Sequence, residues 1–157
     1  KMYQKSYKSP IGMLYILEED KKIVAINYNK KEKNTIEKET ELLKRTIQEL
    51  EEYFEGKRKK FDVPLNPKGT EFMKKVWDEL LKIPYGKTTT YGEIAKNIGN
   101  PKASRAVGLA NHNNPIPIII PCHRVIGKNK KLIGYALGLD KKEYLLNLEL
   151  KNTKDRS

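Results

Sequence analysis

The side chains best suited to chemistry lie in one short segment, residues 113–125, which reads NNPIPIIIPCHRV. This segment holds the only cysteine of the chain, Cys122, followed directly by His123 and Arg124. A cysteine thiolate attacks soft carbon electrophiles well, and a neighbouring histidine or arginine increases the ionised fraction of a thiol. Prolines stiffen the backbone on both sides of residues 118–120, which we expect to form a short buried strand that presents Cys122. The alternative for the cysteine alone is a buried, inert thiol.

A nucleophilic thiol needs a proton acceptor and a group that orients the acceptor. His123 is adjacent but points away from Cys122 in an extended segment, so a proton path between them would run through a water. The acids downstream are Asp140, Glu143, Glu149 and Asp155. Asp140 and Glu143 are spaced as a capping box that opens a last helix over residues 140–150, which leaves Glu149 as the candidate partner of His123. The spacing leaves open that Glu149 lies on an exposed helix face.

Composition narrows the function classes. One cysteine and two histidines allow neither an internal disulfide nor a zinc site of cysteine and histidine ligands, so we expect no metal and no cofactor. The net charge is +12, and the stretch between Leu80 and Leu139 carries nine basic residues, Lys130 and Lys131 among them, against one acid, Glu93. Such a block indicates a polyanionic partner, nucleic acid first, although charge alone leaves open a solvated, lysine-rich surface. Without a long apolar run or a leader sequence, we expect a soluble, cytoplasmic protein that neither crosses nor binds a membrane.

The elements that must position these residues fall into two parts. Three alternating segments in the first thirty residues predict an antiparallel meander, and Asn34 with Glu37 predicts the start of a helix that ends at Gly56. A basic connector with two prolines, residues 57–67, then marks a domain boundary. We therefore predict an α/β (α+β) protein with domains 1–66 and 67–157, a small N-terminal antiparallel sheet with a helix joined to a mostly helical C-terminal domain.

The C-terminal part begins with an amphipathic pattern over residues 72–82 that places Trp77 in the core. Thr90 with Glu93 then opens a helix over residues 91–98, and Pro101 starts a second helix over residues 102–110. Two short helices joined by a tight turn predict a helix-turn-helix. The second helix carries mainly small residues on its surface, with Arg105 as its one long side chain. Small residues allow a helix to approach a DNA groove closely; the alternative is that they pack tightly inside the protein.

Taken together, these motifs resemble those of the O6-alkylguanine-DNA alkyltransferases. The signature is Pro121-Cys122-His123-Arg124-Val125, and the similarity covers about the last 90 residues and, more loosely, the N-terminal sheet and helix. The other matching segments are Gly69-Thr70, Ile83-Pro84-Tyr85-Gly86, Tyr91-Gly92-Glu93-Ile94-Ala95, Ser104-Arg105-Ala106-Val107-Gly108, Asn114-Pro115, Gly134-Tyr135 and Leu145-Leu146-Asn147-Leu148-Glu149.

The resemblance implies a single-turnover repair protein that moves the O6-alkyl group of guanine in duplex DNA irreversibly to its own Cys122. His123 and Glu149 would form a water-linked relay to the thiol, and Tyr91 would donate a hydrogen bond to the base. The implied substrate-binding residues are Asn114, Pro117, Val125, Tyr135 and Ala136. The implied DNA contacts are Lys102, Ser104, Arg105, Ala106 and Arg124, with Arg105 taking the place of the flipped nucleotide in the minor groove.

Two features of the sequence depart from the family pattern. Many relatives carry a serine where Ala136 stands, and a glycine is frequent at the position of Leu137, so the range of alkyl groups accepted stays open, as does O4-alkylthymine as a second lesion. We expect a monomer. The alternative function is a non-catalytic alkylguanine sensor or a helix-turn-helix DNA-binding regulator, but sensor-type relatives replace the nucleophile, and the presence of Cys122 favours chemistry.

Overall fold

The computed structural model describes residues 1–128 and 135–154 of the chain. Lys130, Lys131, Gly134 and Asp155, which the sequence analysis uses, lie outside these residues. Contacts within the chain divide it into two compact units of mixed α/β structure, Lys1–Lys68 and Gly69–Ser157. Among the described residues, no helix combines the length and the apolar character needed to cross a membrane.

The first unit is built on a sheet of strand order β3-β2-β1-β4. Strands β1 (Met2–Ser9), β2 (Gly12–Glu19) and β3 (Lys22–Tyr28) form the predicted antiparallel meander. The turn between β2 and β3 consists of Asp20 and Lys21, whose φ angles of 53° and 62° are those of a tight two-residue hairpin turn. Helix α1 (Glu41–Phe54) packs on β1 and β2.

The predicted start of α1 at Asn34 is wrong. Asn34 has a φ angle of 61°, outside the helical region, and Ile36–Glu37 form strand β4, which pairs in parallel with β1. The side chain of Gln4 in β1 holds this segment at the sheet edge, because it accepts a hydrogen bond from the backbone N–H of Glu32 at 2.8 Å. The helix begins instead after Thr40, whose hydroxyl accepts from the N–H of Leu43 at 3.0 Å.

The second unit has a helical core. Helix α2 (Glu71–Leu80) buries Trp77, as predicted, and the indole N–H of Trp77 donates to the carbonyl of Ala110 at 2.9 Å. Helices α3 (Tyr91–Asn97) and α4 (Ser104–His112) pack on each other. Helix α4 begins two residues later than predicted, because Pro101 and Lys102 lie in the turn before it.

The reactive segment is attached to this core by a small parallel sheet. Strand β5 (Thr89–Thr90) pairs with β6 (Val125–Ile126), and Cys122–Arg124 form a 3₁₀ turn just before β6. Strand β5 runs directly into α3, whose first residue is Tyr91. Helix α5 (Leu139–Lys154) packs against the same turn.

Candidate active site around Cys122

The loop that precedes Cys122 is a buried turn and not the predicted strand. Ile118 has a φ angle of 77°, and the N–H of Ile120 donates to the carbonyl of Ile116 at 3.0 Å, which closes the turn. Asn114 braces both of its ends: its Nδ2 donates to the carbonyl of Ile120 at 2.8 Å, and its Oδ1 accepts from the N–H of Ile116 at 3.0 Å. One buried amide therefore fixes the backbone that leads into Cys122.

Hydrogen bonds to the backbone hold Cys122 itself. Its N–H donates to the carbonyl of Ile120 at 2.8 Å, and its carbonyl accepts from the N–H of Val125 and from Nδ2 of Asn111 at 3.3 Å. The sequence analysis missed Asn111, although it is a polar residue on the buried face of α4, four residues after the buried Val107. Its sequence signal was a polar residue at a helix position where the spacing calls for an apolar one.

The Cys122 side chain is buried, and its thiol is protonated in the resting protein. Burial raises the pKa of the thiol from its ordinary value to about 11, while a hydrogen bond from Asn114 and the charge of Lys142 act in the opposite direction. A thiol with such a pKa is a poor nucleophile near neutral pH. Any chemistry at Cys122 therefore requires a group that removes the proton or stabilises the thiolate.

The structure places His123 and Glu149 in direct contact. The Nε2 atom of His123 lies 2.7 Å from Oε2 of Glu149, and both side chains are buried. Burial lowers the pKa of His123 below its ordinary value and outweighs the opposing hydrogen bond and charge of Glu149, so the imidazole is neutral. Among the described residues, Nδ1 of His123 has no hydrogen-bond partner. The imidazole is thus held at one nitrogen and can take up a proton at the other.

Arg124 does not fit the predicted role of a DNA contact, because its side chain is turned into the protein. The residue is only 6% exposed, and its guanidinium forms a two-point pair with Glu149, with Nε at 2.8 Å from Oε1 and Nη2 at 3.0 Å from Oε2. Its Nη1 donates to the carbonyl of Ile83 at 2.7 Å. Burial alone would raise the pKa of Glu149, but the hydrogen bonds from His123 and Arg124 and the charge of the guanidinium lower it well below its ordinary value. Arg124 therefore keeps Glu149 ionised.

The turn at residues 83–86 completes the surroundings of Glu149. The N–H of Gly86 donates to Oε1 of Glu149 at 3.1 Å, and the ring of Tyr85 lies 5.6 Å from the guanidinium carbon of Arg124. Gly86 has a φ angle of 77°, and a Cβ atom there would lie 2.2 Å from Oγ1 of Thr153. Only glycine fits this position without strain.

Two tyrosines lie near the thiol. Tyr135 is buried, its ring stands edge-on to His123 at 6.4 Å, and its hydroxyl has no partner among the described residues. Tyr91 is half-buried at the start of α3 and shares a hydrogen bond with Asn111. Burial, and then the negative charge of the Cys122 thiolate, raises the pKa of both tyrosines, so both hydroxyls keep their protons near neutral pH.

The other predicted substrate residues differ in exposure. Pro117 and Val125 are buried, whereas Ala136 is exposed. The backbone of Val125 is already engaged: its N–H donates to Cys122, and its carbonyl accepts from Nζ of Lys142 at 2.5 Å.

Helix α4 has one face in the core and one face exposed. Val107 and Ala110 are buried, whereas Arg105 and Ala106 are exposed. Of the remaining predicted DNA contacts, Lys102 is exposed in the turn before the helix and Ser104 is half-buried. The helix thus packs into the core through Val107 and Ala110 and leaves Arg105 exposed, and its contact with a DNA groove stays a prediction.

Lys142 is the second site residue that the sequence analysis missed. It is completely buried on α5 and lies on the same helix face as Leu145 and Glu149, which are also buried. The sequence signal was a pair of charged residues seven positions apart, Lys142 and Glu149, on a helix face that also carries Leu145. Over residues 1–128 and 135–154, no cluster of three or more His, Cys, Asp and Glu side chains could hold a metal ion.

Both units match known protein families. Residues 2–67 match the ribonuclease-like domain of 6-O-methylguanine DNA methyltransferase, and residues 71–151 match its DNA-binding domain. The chain is 55% identical to a methylated-DNA–protein-cysteine methyltransferase of Methanosarcina acetivorans over 94% of this chain and 98% of the relative. It is 44% identical to the constitutive methylated-DNA–protein-cysteine methyltransferase of Bacillus subtilis over 98% of this chain and 99% of that protein.

A solved structure agrees with these sequence matches. The crystal structure of Mycobacterium tuberculosis OGT in complex with DNA superposes with a TM-score of 0.90 at 41% identity, covering 96% of this chain and 94% of that one. Family profiles thus account for nearly the whole chain, and relatives match it from end to end. The chain therefore belongs to the family of methylated-DNA–protein-cysteine methyltransferases, which confirms the resemblance found in the sequence.

Proposed function

We propose that this protein repairs DNA by moving the O6-alkyl group of guanine, a methyl group first of all, irreversibly to the sulfur of its own Cys122. The observation that carries the proposal is the single buried cysteine next to a Glu149–His123 pair, in a chain of this family. The names of its relatives describe the same reaction, a methyl transfer from DNA to a protein cysteine.

The proton of the thiol goes to His123 in this proposal. Nδ1 of the neutral imidazole accepts it through a bridging water, since buried polar nitrogens are normally hydrogen-bonded. Glu149 holds the imidazole at Nε2 and stabilises the imidazolium that forms, and Arg124 keeps Glu149 ionised. The thiolate is thereby generated at the moment of reaction, although the resting thiol is protonated.

The thiolate then attacks the alkyl carbon of the lesion. The new bond joins Sγ to the alkyl carbon, the bond between that carbon and O6 breaks, and its electron pair leaves with guanine. Tyr91 stabilises this developing charge as a hydrogen-bond donor, a role that its raised pKa favours. The proton held on His123 returns to the guanine, and Cys122 remains as a thioether. The carbon–sulfur bond of a thioether is stable under these conditions, so each chain reacts once.

The DNA is bound by α4 and the turn before it. Arg105 is exposed in the first turn of α4, beside small residues that allow a DNA backbone to approach, and Lys102, Ser104 and Ala106 supply further contacts. Arg105 fills the place of the alkylated base while that base is flipped into the pocket near Tyr135 and Pro117. The Mycobacterium tuberculosis relative is described in complex with DNA, which supports duplex DNA as the partner. Action as a monomer in the cytoplasm belongs to the same proposal.

Two variants separate chemistry from DNA binding. Cys122→Ala is expected to abolish transfer while it still binds a duplex that contains O6-methylguanine, because α4 is untouched. Arg105→Ala is expected to slow repair of the duplex but not the reaction with free O6-benzylguanine, and Lys151→Ala serves as a control that removes an equal charge from an exposed position of α5. If Cys122→Ala folds but no longer binds the lesion, or if Arg105→Ala slows both reactions equally, the assignment is wrong.

A further inference from the structure

Lys142 is a lysine without exposed surface, next to the reactive segment. Its relative exposure is 0%, and its Nζ donates to the carbonyl of Val125 at 2.5 Å. Lysine side chains are very rarely completely buried, since removing the ammonium from water is costly. A buried lysine beside a proposed nucleophile therefore calls for an explanation from function.

The hydrogen bond connects α5 to the 3₁₀ turn that carries the thiol. Val125 accepts from Lys142 through its carbonyl and donates through its N–H to the carbonyl of Cys122, which closes the turn. Lys142 is itself fixed in the first turns of α5, where its N–H donates to the carbonyl of Gly138 at 3.1 Å. The ammonium thus has a defined position relative to the sulfur.

The two groups also act on each other through their charges. Burial raises the pKa of Cys122 to about 11, and the ammonium of Lys142 counteracts part of this increase. Burial likewise lowers the pKa of Lys142 to about 8, and the thiolate counteracts that decrease. At pH 7 Lys142 therefore still carries its proton. The pKa of His123 in the same turn also responds to this ammonium, and Glu149 is paired with Arg124.

We propose that Lys142 is a positioning residue for the thiol, whose buried ammonium stabilises the Cys122 thiolate while it pins the Val125 carbonyl. The imidazole of His123 removes the proton, and Lys142 makes the anion that is left behind less costly in the apolar pocket. The benefit for alkyl transfer rests on the proposed function, but the effect on the thiol itself does not.

Three substitutions separate charge from hydrogen bonding. Lys142→Met removes both and buries an apolar chain of similar length, a replacement that buried charged sites often tolerate without loss of stability. Lys142→Gln keeps an N–H donor for Val125 without a charge, and Lys142→Arg keeps the charge. Lys151→Gln removes one charge from an exposed position of the same helix and is the matched control.

The measurement is the rate of Cys122 alkylation by iodoacetamide as a function of pH, with Trp77 fluorescence to show that each variant is folded. We expect Lys142→Met and Lys142→Gln to react about tenfold more slowly at pH 7, with profiles displaced upward by about one pH unit. Lys142→Arg and Lys151→Gln are expected to retain the original profile. The reaction with free O6-benzylguanine is expected to slow in the same order.

If folded Lys142→Gln reacts like the unsubstituted protein, the hydrogen bond alone matters and the electrostatic role is refuted. A profile of Lys142→Met identical to that of Lys151→Gln refutes both parts of the proposal. If the alkylation profiles shift as expected but no chain, substituted or not, accepts an alkyl group from DNA, then the role of Lys142 stands and the proposed repair function fails.

Discussion

The buried pair of Arg124 and Glu149 gives a sharp prediction for stability. Arg124→Met leaves the Glu149 carboxylate buried with the N–H of Gly86 and His123 but without its cation, and it also removes the contact with the carbonyl of Ile83. Removing one partner of a buried, hydrogen-bonded ion pair typically costs about 3–5 kcal/mol. We therefore expect the free energy of unfolding of the second unit to fall by about 3–5 kcal/mol at pH 7.

The assay is equilibrium unfolding in urea, followed by the fluorescence of Trp77, the one tryptophan of the chain and a buried residue of the second unit. Lys82→Met is the control in the same unit, because Lys82 is exposed to solvent and its ammonium lies 3.5 Å from the carboxylate of Glu79. Ion pairs with a solvent-exposed partner contribute about 0–1 kcal/mol, so the control is expected to change little. If Arg124→Met is too unstable to purify, Arg124→Lys keeps a cation but loses the two-point geometry and is expected to lose less.

The pH dependence provides a second check on the same pair. With Arg124 present, the lowered pKa of Glu149 stabilises the folded state above the ordinary carboxyl pKa of 4.5, and this contribution is lost only as the pH falls through the lowered value. Without Arg124 only His123 and the N–H of Gly86 oppose the effect of burial, so we expect this pKa to rise and the variant to gain stability as the pH falls and Glu149 takes up a proton. The difference between the two proteins should therefore shrink from pH 7 to pH 5. A loss below about 1 kcal/mol at pH 7, or an equal loss at both pH values, would show that Arg124 does not stabilise the ionised form of Glu149.

Three further outcomes follow from the site. Burial lowers the pKa of His123 below 6.5, so the rate of alkyl transfer should stay constant as the pH falls to 6.5 and decrease only below that value. Rapid-quench kinetics in which transfer is already abolished at pH 6.5 would contradict this. Tyr91→Phe should slow transfer from a lesion-containing duplex about tenfold or more without weakening duplex binding, and an unchanged rate would exclude the hydroxyl as a donor. Gly86→Ala should lower the free energy of unfolding by about 1–3 kcal/mol, and adding Thr153→Ala should restore part of it. If the double variant recovers no stability, the clash with Thr153 is not the cause.

Local patterns in the sequence predict the elements whose contacts are local. The meander, α2 with the buried Trp77, and the α3–α4 pair follow from alternation, helical spacing and capping residues such as Thr90, whose hydroxyl accepts from the N–H of Glu93 at 3.2 Å. The start of α1 could not be predicted in this way. The segment around Asn34 has a capping pattern, but a distant side chain, Gln4, and the parallel pairing of β4 with β1 outweigh it.

The residues of the candidate site likewise divide into those that the sequence predicts and those that it does not. Residue type, elimination and family resemblance predict Cys122, His123 and Glu149 as site residues, and the structure brings His123 and Glu149 into contact. Arg124 and Lys142 are common surface residue types, and nothing local reveals that Arg124 turns inward to Glu149 or that Lys142 lies under Val125. Their positions depend on α5 packing against the 3₁₀ turn, a contact between segments far apart in the chain.

The most direct test of the proposed reaction is the intact mass of the protein after it is mixed with one equivalent of a duplex that contains a single O6-methylguanine, followed by peptide mapping. We predict that each chain gains one methyl group in place of a proton, that the group is on Cys122, and that excess duplex adds no more. Tight binding to the lesion without any gain in mass, or a methyl group on a residue other than Cys122, would exclude the proposed transfer to Cys122.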